Sequence, residues 1–288
     1  MTYLTEEHRM LRNETRKFVE NEVLPEANER DNRNERMSDE LVEKLGEIGY
    51  FGLTTPEKYG GLGMGQLAYS TVTEELARGW MSVASIIARG QQIAGANEAQ
   101  KREYYPDMIE GERLQAVSIS EPGAGSDVAS MSTMAEKVGD EYEIDGQKTW
   151  CTNAEGADFI VLYAKTDPDA SPAHRGISSF IIDKTAGEFD VDGLEANRIE
   201  TIGYHGWSSW ELNLDNVRVP EDKLIGGEEG QGFYHIMELF EPARIHTASR
   251  AIGLARGALE DSLEYAQERK QFDQPIGEFQ SIRFKLAT

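Results

Sequence analysis

The spacing of hydrophobic positions changes twice along the chain. Up to about residue 113 they recur at helical intervals. Thr5-Glu6-Glu7-His8 reads as a helix start, with Thr5 as cap and two acids in the first turn. Leu11, Phe18 and Val23 make a rough apolar stripe, which Pro25 is expected to end. Leu41, Leu45 and Ile48 share one face of a second helix, capped by Ser38 or Asp39. Further helices are predicted over 66–77, 84–94 and 98–110, the last kinked at Tyr104-Tyr105-Pro106. From 114 to about 222 the period drops to two. Segments 134–138 and 142–144 flank Gly139-Asp140 as a hairpin, and Asp145-Gly146 reads as a second turn. Runs at 159–164, 179–182, 210–214 and 217–220 complete a compact antiparallel barrel or sandwich. From about 230 the pattern is helical again, in one long segment through Glu268 and another from near Glu278.

The predicted fold class is therefore α+β. A helical N-terminal domain covers 1–113, a central β-domain 114–222, and the start of a C-terminal helical bundle 223–288. A lone helical hairpin cannot bury both faces. Residues 223–288 are thus expected to need further helices or a second chain, and the sequence reads as C-terminally truncated.

Charge narrows the function classes. The chain has 52 acidic and 29 basic residues, a net charge of −23. Nucleic-acid binding needs a basic footprint, and none is present. An acid excess this large suits a host with high internal salt, where screening keeps a dense acidic surface folded. Cys151 is the single cysteine, which fits a reducing compartment, and a cytoplasmic location is expected. Beside Trp150 it reads as a small strand filler rather than a nucleophile. No apolar run is long enough to span a membrane, and Met1 to Asn13 lacks the apolar core of a signal peptide.

Candidate chemistry concentrates in Ser118-Ile119-Ser120-Glu121-Pro122-Gly123-Ala124-Gly125-Ser126-Asp127. A Pro/Gly turn after a strand, flanked by three hydroxyls, can present donors to a polar ligand. The two glycines would permit unusual backbone angles. Taken alone the stretch is an ordinary turn. It is followed by Asp145-Gly146-Gln147-Lys148-Thr149-Trp150-Cys151-Thr152-Asn153. Three further segments occur in order: Pro56-Glu57-Lys58-Tyr59-Gly60-Gly61-Leu62-Gly63, Asp215-Asn216-Val217-Arg218-Val219-Pro220, and Glu268-Arg269-Lys270-Gln271-Phe272 with Gln280. Together these resemble the acyl-CoA dehydrogenase family of flavoenzymes across nearly the whole chain.

The resemblance implies bound FAD, an acyl-CoA substrate oxidised to the trans-2-enoyl-CoA, and electron transfer to an electron-transferring flavoprotein, as in fatty acid metabolism. It implies that Ser118, Ile119, Ser120 and Ser126 contact the flavin from one side and Trp150 and Thr152 from another. Arg269, Gln271, Phe272 and Gln280 would meet the adenine–pyrophosphate end of a flavin held mainly by the neighbouring subunit, so a homodimer or homotetramer is implied. Ser126, Phe240 and Arg244 would contact the CoA portion or the acyl mouth. Read locally, Arg244 could equally pair with Glu241, and Arg269 could be a solvated helix-end residue. The family's catalytic Glu is expected beyond Thr288, or in some members at the position of Ala243. Glu241, two residues away, should face elsewhere on the helix. His205 stands where the family has Arg and reads as a hydrogen-bonded structural histidine. No metal site is expected. Two other readings remain open: a non-catalytic flavin- or CoA-binding protein derived from this family, and an acyl-CoA oxidase.

Overall fold

The computed structural model describes residues 4–287. Helix α1 (Glu6–Phe18) starts where expected, with Thr5 Oγ1 accepting from the His8 N–H at 3.4 Å. The chain does not stop at Pro25. A π turn over Val19–Val23 carries it into α2 (Leu24–Arg30). Pro25 lies in the first turn of α2, where its missing N–H has no intrahelical acceptor to lose. Ser38 caps α3 (Asp39–Glu47), accepting from the Leu41 N–H at 3.1 Å. Helix α4 (Gly65–Gly79) follows. In place of a helix over 84–94, α5 (Met81–Ile86) passes into a 3-10 turn at Ile87–Arg89. Helix α6 (Glu98–Glu110) opens on a capping box of Asn97 and Gln100 and runs through Pro106.

The middle of the chain forms one curled sheet of seven strands: β1 (Gln115–Ser118), β2 (Met134–Val138), β3 (Glu141–Thr152), β4 (Phe159–Lys165), β5 (Ile177–Asp183), β6 (Leu194–Ile199) and β7 (Ser209–Pro220). The order is β1-β4-β2-β3-β7-β6, with β5 on the other side of β4. Most pairs are antiparallel, but β1 and β2 each run parallel to β4. Asp145-Gly146 does not turn the chain. β3 continues past it with a register shift against β7 between Ile144 and Gly146. Strand β4 carries no charge from Phe159 to Ala164, where both its faces are buried. Ile160, Leu162 and Ala164 face the inside of the half-barrel. Phe159, Val161 and Tyr163 pack with Tyr104 and Met108 of α6.

Helix α7 (Gly232–Glu268) joins the two halves. Its first turns pack through Ile236 against the sheet, and its middle crosses α4. Gly253 and Gly257 make the crossing close. A Cβ at Gly253 would lie 2.1 Å from the Glu74 carbonyl oxygen, and one at Gly257 would lie 2.5 Å from that of Arg78. Glu75, fully buried beneath the crossing, accepts from Arg16 Nε at 3.1 Å and Arg256 Nη1 at 2.8 Å. The hairpin β8 (Lys270–Gln271) and β9 (Gln274–Pro275) leads to α8 (Gln280–Ala287). Leu254, Leu259, Leu263 and Tyr265 of α7 stay exposed, so this helix buries only one side. Among the described residues no helix is long and apolar enough to cross a membrane.

Candidate active site

Strand β1 ends at Ser118, which is fully buried while its Oγ has no hydrogen-bond partner. The following turn is held from behind by Glu121. Its carboxylate accepts from the N–H and hydroxyl of both Ser132 and Thr133, at 2.6 to 2.9 Å, and from Lys148 Nζ at 2.8 Å. Lys148 is fully buried on β3 and also reaches the Ile119 carbonyl at 3.2 Å. Burial pushes the Glu121 carboxyl up. Lys148, Thr133 and Ser132 outweigh it and hold the group at about 2. This buried pair is the anchor that sequence reading missed. Its two members lie far apart in the chain, and no local pattern marks either as buried.

The same clamp sets Trp150. The Thr149 N–H donates to the Ser120 carbonyl at 2.8 Å, which ties β3 to the turn. There β3 slips register against β7 between Lys148 and Cys151. In this bulge Trp150 takes φ 60° and stands 58% exposed. A left-handed tryptophan costs about 1–3 kcal/mol, and such outliers persist where function needs them. An aromatic face is thus held open beside Ser118, Ile119 and Ser120. Thr152 Oγ1 meets Ser209 Oγ at 3.0 Å, fixing the strand after the bulge. Cys151 points into the half-barrel, and burial pushes its thiol up to about 11, so it is inert as expected. Gly123 and Gly125 are not in the left-handed region, contrary to the expectation from sequence. A Cβ on either would meet nothing within 4 Å, so the space before the turn is open. Ser126 lies exposed beyond it.

A cavity of about 250 Å³ opens between the N-terminal helices and α7. Tyr69, Gln91, Gln92, Glu238, Ala243 and His246 are among its lining residues. Glu241 lines it as well, although helical geometry suggested that it would face away from Ala243. Glu238 and Glu241 are both exposed at the rim. Phe240 is half-buried against the sheet-side core, and the exposed Arg244 stacks its guanidinium 5.9 Å from the Phe240 ring. Among the described residues Arg244 makes no ion pair with Glu241.

Three family profiles match: the acyl-CoA dehydrogenase N-terminal domain over residues 5–112, the middle domain over 116–217 and the C-terminal domain over 230–288. A glutaryl-CoA dehydrogenase of Desulfococcus multivorans is 38% identical over 99% of this chain and 73% of its own length. The chain belongs to the acyl-CoA dehydrogenase family. A solved acyl-CoA dehydrogenase-family structure, glutaryl-coenzyme A dehydrogenase with glutaryl-CoA, superposes with a TM-score of 0.91 at 36% identity, over all of this chain and 73% of that one. A (2S)-methylsuccinyl-CoA dehydrogenase of Cereibacter sphaeroides is 41% identical over 99% of this chain, which spans only 53% of that protein. Relatives in the family are FAD-dependent oxidoreductases, and one structural neighbour, a glutaryl-CoA dehydrogenase from Mycobacterium smegmatis, is in complex with FADH2.

The residues of this chain fit a flavin. The Trp150 face is open, a Cβ on Gly123 or Gly125 of the neighbouring turn would meet nothing within 4 Å, and the buried Ser118 Oγ at the start of that turn has no hydrogen-bond partner. The remaining predicted contacts are not brought to this turn. Arg269, Gln271, Phe272 and Gln280 sit at the far end of α7, about 39 Å along the helix from Ala243. Phe272 there is 87% exposed, and its ring meets Phe279 at 6.1 Å. His205 Nδ1 lies 2.8 Å from the Asp31 carbonyl, in a structural contact. Sequence reading also missed Arg89 and Arg250, which lie near Tyr69 and His246.

Proposed function

We propose that this protein is an FAD-dependent acyl-CoA dehydrogenase, removing hydrogens from Cα and Cβ of an acyl-CoA to give the trans-2-enoyl-CoA. The observation that carries the reading is the Trp150 bulge, a strained aromatic held open against the Ser118–Ser120 turn. Bound there, FAD would supply the hydride acceptor for the β-position. The chain's own part is to hold and orient. Ser118, Ile119, Ser120 and Ser126 offer donors on one side, and Trp150 with Thr152 forms the wall. The acyl chain enters the cavity past Phe240, with Arg244 and Ser126 on the CoA side.

The α-proton needs a desolvated carboxylate as base. Glu238 and Glu241 stand in the open, and Ala243 has no acid to offer. None of these groups meets that need, and no catalytic base is assigned among the described residues. Arg269, Gln271, Phe272 and Gln280 are assigned to the flavin of a second copy, which makes the working unit at least a dimer. Electron-transferring flavoprotein is the proposed acceptor, in the cytoplasm; one relative, from Acetobacterium woodii, is itself a subunit of a caffeyl-CoA reductase–Etf complex.

A second reading, an oxidase, is favoured by one structural neighbour at 28% identity, the prolyl acyl carrier protein oxidase AnaB. Anaerobic titration of the FAD-loaded protein with acyl-CoAs, followed by admission of air, separates the two. Bleaching followed by slow return marks a dehydrogenase, and immediate return marks an oxidase.

A further inference from the structure

Two arginines near Tyr69 and His246 of the cavity lining have no carboxylate partner among the described residues. Arg89 closes the 3-10 turn after α5, and Arg250 lies on α7 one turn beyond His246. Arg250 reaches only neutral groups: Ser85 Oγ, Tyr204 OH at 2.7 Å and Thr247 Oγ1 at 3.0 Å. Arg89 stacks its guanidinium 5.4 Å from the Trp207 ring. The Nε of each is sealed from solvent without a hydrogen-bond partner. Among the described residues no acid forms an ion pair with either. This stands out in a chain with 52 acids for 29 bases. Elsewhere buried charge is matched, as where Arg16, Arg78 and Arg256 converge on Glu75. Both side chains are partly withdrawn from water, where a guanidinium without a counter-charge is unfavourable.

The neighbours repeat the pattern. The Tyr69 hydroxyl and His246 Nδ1 are likewise sealed without a partner. Their rings lie 5.6 Å apart, and both residues line the cavity with Ala88, adjacent to Arg89. Burial, then Arg250 and Arg89, push His246 down to about 4, so it is neutral at pH 7 and adds no further positive charge. Orphaned N–H groups, a hydroxyl and two guanidiniums gathered around Tyr69 and His246 of the cavity lining suit a planar anion with several lone pairs, which is the geometry of a carboxylate. The exposed Glu238 and Glu241 also line the cavity and would repel such a group, so negative charge is favoured near Tyr69 and His246 and disfavoured near these two acids.

We propose that Arg89 and Arg250, with Tyr69 and His246, bind the distal carboxylate of the acyl chain, so that the substrate class is dicarboxylic acyl-CoA thioesters rather than hydrocarbon-ended ones. This rests on the cavity being the acyl site of the proposed dehydrogenase. Pairs of CoA esters with equal carbon count test it: butyryl and succinyl, valeryl and glutaryl, hexanoyl and adipyl. Binding of each to the FAD-loaded protein is measured by calorimetry, with flavin absorbance recorded in parallel. In at least one pair the carboxylate member binds on the order of 100-fold tighter. Arg89→Met removes that preference and leaves the hydrocarbon member within about twofold. Arg250→Lys, which keeps the charge, weakens the preference about tenfold if Arg89→Met fails to fold. Equal or tighter binding of the hydrocarbon member in every pair overturns the subsite. So does a preference that survives both substitutions in folded protein. A preference without bleaching by any ester upholds the subsite and sinks the dehydrogenase reading, whereas equal bleaching and binding by both members does the reverse.

Discussion

Trp150 shows how one residue carries the site. Nothing in Lys148-Thr149-Trp150-Cys151 betrays a positive φ, since tryptophan does not favour it. The conformation comes from two distant ties, the Thr149 amide on Ser120 and the register slip against β7. Motif resemblance could mark the tryptophan, but only the fold shows that its face is open. Trp150→Ala is expected to weaken FAD retention about tenfold, in line with the loss of one aromatic stacking contact. Equilibrium dialysis of the flavin against the variant checks this. Glu121 works from behind. Its folded carboxyl sits at about 2 against an ordinary 4.5. A depressed carboxylate stabilises the fold above its unfolded value, and that stability drains as pH falls from 4.5 to about 2. The loss is on the order of 3 kcal/mol. Chemical denaturation at pH 6 and pH 3 should show it in wild type, and the difference should shrink in Glu121→Gln.

At the scale of elements, the helical and strand periods were legible, and so were the caps at Thr5 and Ser38, because each is written in neighbouring residues. Three boundaries were not. Pro25 is absorbed by a π turn, Asp145-Gly146 by a bulge, and the expected helix over 84–94 by a 3-10 turn that delivers Arg89. In each case tertiary packing overrode a local signal. The cavity was invisible for the same reason. Tyr69, Arg89, His246 and Arg250 share no motif, and meet only because α7 crosses α4 through Gly253 and Gly257. Gly253→Val puts side-chain carbons against the Glu74 carbonyl. It is expected to destabilise the protein by about 1–3 kcal/mol through overpacking. A lowered denaturation midpoint together with weaker acyl-CoA binding would confirm that the crossing shapes the cavity, and a neutral outcome would remove the crossing from the account.

Over the whole molecule, the residues of the proposed flavin site fall into two groups that do not meet within one chain. The Ser118–Ser120 turn, Trp150 and the cavity lie at one end of α7. Arg269, Gln271, Phe272 and Gln280 lie at the other, beside an apolar helix face that this chain leaves uncovered. Such a face on a long helix is expected to be covered by more helix or by a second copy. The most direct measurement is anaerobic titration of the FAD-loaded protein with acyl-CoA, reading flavin absorbance and product together. The account predicts that the flavin bands bleach in step with formation of one trans-2-enoyl-CoA per flavin. Protein that retains no FAD, or retains it and stays oxidised with every ester, would contradict it.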